Sequence, residues 1–148
     1  MKKKAILFIC VQNSARSQMA AALMNKTCGE FFEAESAGLE PGQLNPLVVK
    51  VLMEVGVDIS RNKTQGVFDV SKSGRMFQYV ITVCSEAEGE GCPIFPGVTI
   101  RLHWPFPDPS KFTGTDSDKL EQTRRVMDQI HAKIDSFCEE HCAAASAS

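Results

Sequence analysis

No stretch of this 148-residue sequence approaches the roughly 20 apolar residues that a membrane-spanning helix needs. An excess of one charge is missing as well. The 16 Lys and Arg against 18 Asp and Glu leave a formal net charge of −2, which gives nucleic acid or an anionic membrane nothing to recognise. The chain also lacks internal repeats and an internal linker. Its six cysteines do not show the dense spacing of a small secreted domain held by disulfides. What it does have is apolar residues, 43% of the total, enough for one core. A single globular domain is expected over residues 1–142, with a small, weakly polar tail at 143–148 that should fray.

Lys2, Lys3 and Lys4 before apolar residues imitate the start of a signal peptide. The apolar run Ala5 to Val11 then gives way to Gln12-Asn13-Ser14-Ala15-Arg16 with no small-residue cleavage site. The run reads instead as a buried strand. A soluble cytoplasmic protein with reduced thiols is the expectation.

Strand-like and helix-like segments alternate along the chain. Ala5 to Ile9 is continuously apolar, as a strand covered on both faces should be. Ser17 to Met24 reads as a helix, and Phe32 to Ser36 as a second strand ending at Ala37-Gly38. Asn45-Pro46 places a cap residue before proline at the first helical position, starting a helix that runs to Gly56. Tyr79 to Val83 and Thr99 to Leu102 are the third and fourth strands. A last helix begins near Ser117 or Asp118 and carries Leu120, Met127, Ile130, Ile134 and Phe137 at helical spacing. This alternation predicts an α/β fold, a parallel sheet with helices on both faces, binding its ligand at the carboxyl ends of the strands.

At the end of the first strand stands Cys10-Val11-Gln12-Asn13-Ser14-Ala15-Arg16-Ser17. Successive backbone N–H groups in such a strand-to-helix turn form an anion-binding nest, reinforced by the positive end of the helix. The planar fork of Arg16 suits two oxygens of an oxyanion. The same surroundings favour Cys10 as thiolate, the nucleophilic form, and Ser17 is placed to donate a hydrogen bond to its sulfur. The competing reading is a buried cysteine at a strand end with an arginine capping a helix. Placement directly after an all-apolar N-terminal strand favours an oxyanion loop formed by Val11 through Ser17.

Phe8 through Ser17 resembles the signature of the thioredoxin-coupled arsenate reductases, relatives of the low-molecular-weight tyrosine phosphatases. The similarity continues through Ser36-Ala37-Gly38, Asn45-Pro46, Cys84, Cys92-Pro93, His103-Trp104, Asp108-Pro109 and Gly114-Thr115-Asp116. It implies a single-domain, four-stranded parallel sheet in the order 2-1-3-4. It also implies arsenate as substrate, with phosphate or sulfate as mimics, and thioredoxin as partner. No cofactor, nucleic acid or membrane is implied. By this resemblance Cys10 is the nucleophile, Arg16 grips the oxyanion, and Asp108 is the general acid, held in a loop with Pro105, Pro107 and Pro109.

Cys84 and Cys92 separate a reductase from a phosphatase. In the implied strand order, Cys10 and Cys84 leave neighbouring strands roughly 4.8 Å apart at the same end. The segment Ser85 to Gly91 holds two glycines and three glutamates, a composition suited to a solvated loop able to bring Cys92 to Cys84. The implied chemistry is a Cys10-Cys84-Cys92 thiol–disulfide relay reduced by thioredoxin. The Cys84 to Cys92 spacing is one residue longer than the family leads one to expect. The rival is a low-molecular-weight tyrosine phosphatase, but where such phosphatases carry a second loop cysteine and an aromatic after Asp-Pro, this chain has Ala15 and Ser110-Lys111. A non-enzymatic thiol sensor is a third reading, one in which Asp108 would be dispensable.

Some relatives bind potassium beside the loop through an acidic residue on the first helix. Ala20-Ala21-Ala22 stand there, so no such ion is expected, although Asn13, Ser36 and Asp69 resemble its other ligands. Cys138, His141 and Cys142 lie on one helix, which supplies too few ligands for a closed metal site. No metal is expected, and Cys28, Cys138 and Cys142 read as packing or surface residues.

Overall fold

The first strand, β1 (Lys4–Cys10), is apolar throughout its inner length because it lies inside a four-stranded parallel sheet of order β2-β1-β3-β4. The computed structural model describes residues 3–84 and 99–147. Cys92 and the loop expected to carry it lie outside the described residues. The remaining elements are α1 (Arg16–Cys28), β2 (Phe32–Gly38), α2 (Pro46–Glu54), α3 (Val67–Lys72), β3 (Tyr79–Thr82), β4 (Ile100–His103), a short 3-10 turn at Pro109–Lys111 and α4 (Asp116–Ala147). The strand order and the covering of both faces are those expected from the sequence.

Side chains of a strand alternate between faces, and β1 splits accordingly. Ile6, Phe8 and Cys10 join the larger core, which is built with Met19, Leu23, Leu52, Ile130 and Ile134 from α1, α2 and α4. Leu7 and Ile9 join a smaller core with Val67 and Val70 of α3, Phe77 and Val80. Trp104, just beyond β4, packs its ring 5.9 Å from Phe8 and 5.6 Å from Phe137. Its amide donates to the Thr82 carbonyl at 2.8 Å. This fixes the start of the loop that leads to Asp108.

Helix starts follow local chemistry. Asn45 Oδ1 accepts from the Leu47 amide at 2.9 Å, with Pro46 in the first turn, where its missing N–H costs nothing. At the head of α4, Thr115 and Asp118 bond reciprocally, each side chain accepting from the other's amide at 3.1 Å. Gly114 precedes this box at φ 112°, and a Cβ there would fall 2.8 Å from the Asp118 carboxylate, so glycine is required.

Four features differ from the sequence reading. α3 was not expected: at six residues it is too short to show helical periodicity. β3 ends at Thr82 rather than Val83. Cys28 closes α1 instead of lying beyond it, and it forms a disulfide with Cys138 of α4. The packing role read for these two thiols is therefore corrected to a covalent link between helices. The backbone of α4 continues as helix to Ala147, through most of the segment expected to form a tail.

Candidate active site

The loop between β1 and α1 owes its shape to the chain that follows β2. Leu39, Glu40, Gly42 and Asn45 donate their amides to the carbonyls of Cys10, Val11, Gln12 and Ser14, at 3.1, 2.8, 2.9 and 2.9 Å. In a planar trans peptide, a carbonyl and the N–H that follows it point to opposite sides. Drawing these carbonyls outward therefore turns the intervening N–H groups toward the space above Cys10. The nest is thus imposed by a second segment, not only by the loop's own sequence.

Gly38, level with Cys10 in the ladder, makes this approach possible. A Cβ at Gly38 would lie 2.6 Å from the Asn13 nitrogen and 2.8 Å from the Val11 oxygen, both backbone atoms. Asn13 takes φ 56°, a left-handed conformation that asparagine tolerates better than most residues. Its amide then points back to the sulfur, donating to Cys10 Sγ at 3.2 Å.

A buried network orients the second donor to that sulfur. The backbone N–H of Gln65 can only donate, and it donates to Asn13 Oδ1 at 3.0 Å. That fixes which side-chain atom of Asn13 is oxygen and which is nitrogen. Asn13 Nδ2 consequently donates to Ser17 Oγ at 2.8 Å, leaving the Ser17 proton for Cys10 Sγ, 2.9 Å away. Gln18 Nε2 adds a 3.2 Å bond to Asn13 Oδ1. Two donors converge on one sulfur, an arrangement that stabilises negative charge there. α1 itself has no side-chain cap and no acidic residue in its first turn, so its positive end is left for an anion.

Arg16 is 3% exposed. Its Nη1 donates to the Phe106 carbonyl at 3.3 Å, and its Nη2 lies 3.4 Å from Asp108 Oδ2. The other Asp108 oxygen accepts from the Ser110 amide at 2.9 Å and the Ser110 hydroxyl at 2.8 Å. Arg16, Asp108, Ser110 and Lys111 wall a recess of about 270 Å³ whose floor is Cys10 with Val11, Gln12, Ser14 and Ala15. No aromatic side chain lines it among the described residues.

A family model described as low molecular weight phosphotyrosine protein phosphatase matches residues 5–143. The chain belongs to the low-molecular-weight phosphotyrosine protein phosphatase family. Within that family its relatives include an arsenate reductase of Halalkalibacterium halodurans, 40% identical over 139 residues that make up 94% of this chain and 98% of the relative. A solved arsenate reductase in a phosphate-binding state matches with a TM-score of 0.74 at 26% identity, covering 93% of this chain and 98% of that one. A thioredoxin-dependent arsenate reductase from Corynebacterium glutamicum matches with a TM-score of 0.62 at 30% identity, covering 91% of this chain and 63% of that one.

In this phosphatase-family chain, Cys10, Val11, Gln12, Ser14, Ala15, Arg16 and Asp108 meet around the recess. Asn13 and Ser17 lie fully buried behind the sulfur. Cys84 is a buried cysteine just past β3 and shares the larger core cluster with Cys10. Sequence reasoning did not find Ser110 or Gln65. The first carries a faint signal, since a residue two positions after an aspartate often closes an Asx turn. The second acts through its backbone and carries none.

Proposed function

We propose that this chain reduces arsenate to arsenite through a Cys10-Cys84-Cys92 relay that thioredoxin regenerates. The observation that carries the reading is the position of Cys84. Ile9 pairs with Thr82 across β1 and β3, and the Val83 amide donates to the Ile9 carbonyl at 2.9 Å. Cys84 follows two residues after β3 ends and shares one core cluster with Cys10, so the two thiols stand at the same end of neighbouring strands. A phosphatase has no use for a second buried thiol there.

The oxyanion binds to the loop amides and Arg16. The Cys10 thiolate attacks arsenic, and an oxygen leaves as water with a proton from Asp108. Cys84, as thiolate, then attacks the Cys10 sulfur. The S–As bond breaks, and its electron pair stays on arsenic, which leaves as arsenite. Cys92 attacks Cys84, restoring the Cys10 thiolate and leaving a Cys84–Cys92 disulfide. Thioredoxin supplies two electrons and two protons to reopen it. Its dithiol chemistry belongs to the cytoplasm, and among the described residues no helix is long and apolar enough to cross a membrane.

The similarity to arsenate reductases supports this substrate, and the small recess, which has no aromatic wall among the described residues, suits an inorganic oxyanion. Arsenate-dependent NADPH oxidation in the presence of thioredoxin and thioredoxin reductase tests the proposal. Turnover is the expected result. Hydrolysis of an aryl phosphate with no arsenate-dependent oxidation would favour the phosphatase reading.

A further inference from the structure

Two cysteines outside the relay meet at the opposite end of α1 from the loop. Cys28 in the last turn of α1 and Cys138 in α4 form a disulfide with Cα atoms 6.2 Å apart and a sequence separation of 110. They are 5% and 6% exposed, and Cys138 Sγ also lies 3.7 Å from Met24 Sδ. Cys10 and Cys84 lie elsewhere, at the carboxyl end of the sheet.

We infer that Cys28 and Cys138 are a second redox pair, independent of the catalytic thiols, that clamps α1 to α4 when oxidised by a peroxide. The Cα separation lies within the range that disulfides occupy, so the bond can form without backbone movement. In a thiol-reducing compartment such a pair starts reduced and closes only when an oxidant reaches it. A thiolate of the pair attacks hydrogen peroxide, becoming a sulfenic acid and releasing water after protonation. The partner thiol displaces a second water to form the S–S bond. Two thiols lose two electrons, and one peroxide becomes two waters.

Function rather than burial separates this pair from the relay, since Cys10 and Cys84 are buried as well. A small peroxide reaches it during local opening, whereas a protein dithiol needs an exposed sulfur to attack. The catalytic relay must open to its reductant in every cycle; the Cys28–Cys138 bond must not. α1 begins with Arg16 and Ser17, so the clamp holds the base of the helix that presents the oxyanion loop.

The test treats the whole protein with hydrogen peroxide, then with thioredoxin and its reductase to return the catalytic thiols to their reduced state. Unfolding, alkylation and peptide mapping should still yield a Cys28–Cys138 cross-linked peptide. This material should melt about 5–15 °C above protein fully reduced by unfolding in excess dithiol and refolding. Cys138→Ala and Cys28→Ala should each lose the peptide and the melting difference while keeping arsenate turnover within about twofold, since neither residue touches the recess. No cross-linked peptide after peroxide, its reduction as fast as that of the catalytic thiols, or equal melting temperatures for the two forms of the parent would overturn the proposal. The mapping and melting comparisons need only the parent chain and do not depend on the substrate assigned above.

Discussion

Ser17 Oγ lies 2.9 Å from Cys10 Sγ while it accepts the Asn13 side-chain amide at 2.8 Å, so the hydroxyl proton has the sulfur as its partner. A hydrogen bond to a charged group is worth about 1.5–3 kcal/mol. Ser17→Ala should therefore slow the first attack on arsenate at least 10-fold, with the fold intact. Asn13→Ala should do much the same, because the Asn13 side chain aims the Ser17 hydroxyl at the sulfur. The double variant should lose little more than either single one. Rapid-quench single-turnover rates check this, and fully additive losses would show the two acting separately.

Arg16 and Asp108 divide binding from proton transfer. Arg16→Lys replaces a two-pronged grip by a point charge, and competition by phosphate should weaken strongly. Asp108→Asn keeps the shape but has no proton to give. It should bind phosphate nearly as well as the parent and lose roughly 10²–10⁴-fold in the chemical step. If Asp108→Asn lost binding and kept its chemical rate, the residue would be a turn former paired with Ser110.

Gly38 offers a test of how the loop is shaped. A Cβ 2.6 Å from the Asn13 nitrogen forces backbone apart from backbone, so Gly38→Ala should cost about 1–3 kcal/mol of stability. It should also weaken phosphate binding, although Gly38 itself touches no ligand. Thermal melting with and without phosphate reads both effects. An unchanged phosphate affinity would mean the nest does not depend on segment 39–45.

The surface pair of Glu54 and Arg124 gives a pH signature. The Arg124 side-chain hydrogen bonds, at 2.8 and 2.7 Å, hold the Glu54 carboxyl below its usual value. A carboxyl lowered on folding contributes stability above its unfolded pKa and loses it as pH falls through the folded value. The pair is solvated, so the effect is small. Arg124→Met should melt slightly lower than the parent at neutral pH. The gap should close as pH falls below the usual glutamate range, once the carboxylate is protonated.

Much of this was legible in the sequence because the signals were local. The unbroken apolar run from Ile6 to Ile9 could only be a strand covered on both faces, and Cys10 to Ser17 follows it with no residue to spare. Asn45-Pro46 announced its helix by cap chemistry. What was not legible depends on contacts between distant segments. No pattern within residues 10–17 says that the amides of Leu39 to Asn45 will draw its carbonyls outward, or that the backbone of Gln65 will orient Asn13. Cys28 and Cys138 read as separate thiols until α1 and α4 pack together. Six residues of α3 are too few to declare a period.

Single turnover of Cys92→Ser bears most directly on arsenate reduction by a thiol relay. With excess arsenate the variant should release about one arsenite per chain and stop, since Cys10 and Cys84 alone can move two electrons. Peptide mapping should then find a Cys10–Cys84 disulfide, where the parent shows Cys84–Cys92. Absence of arsenite, or sustained cycling of Cys92→Ser with thioredoxin, would contradict the three-cysteine relay.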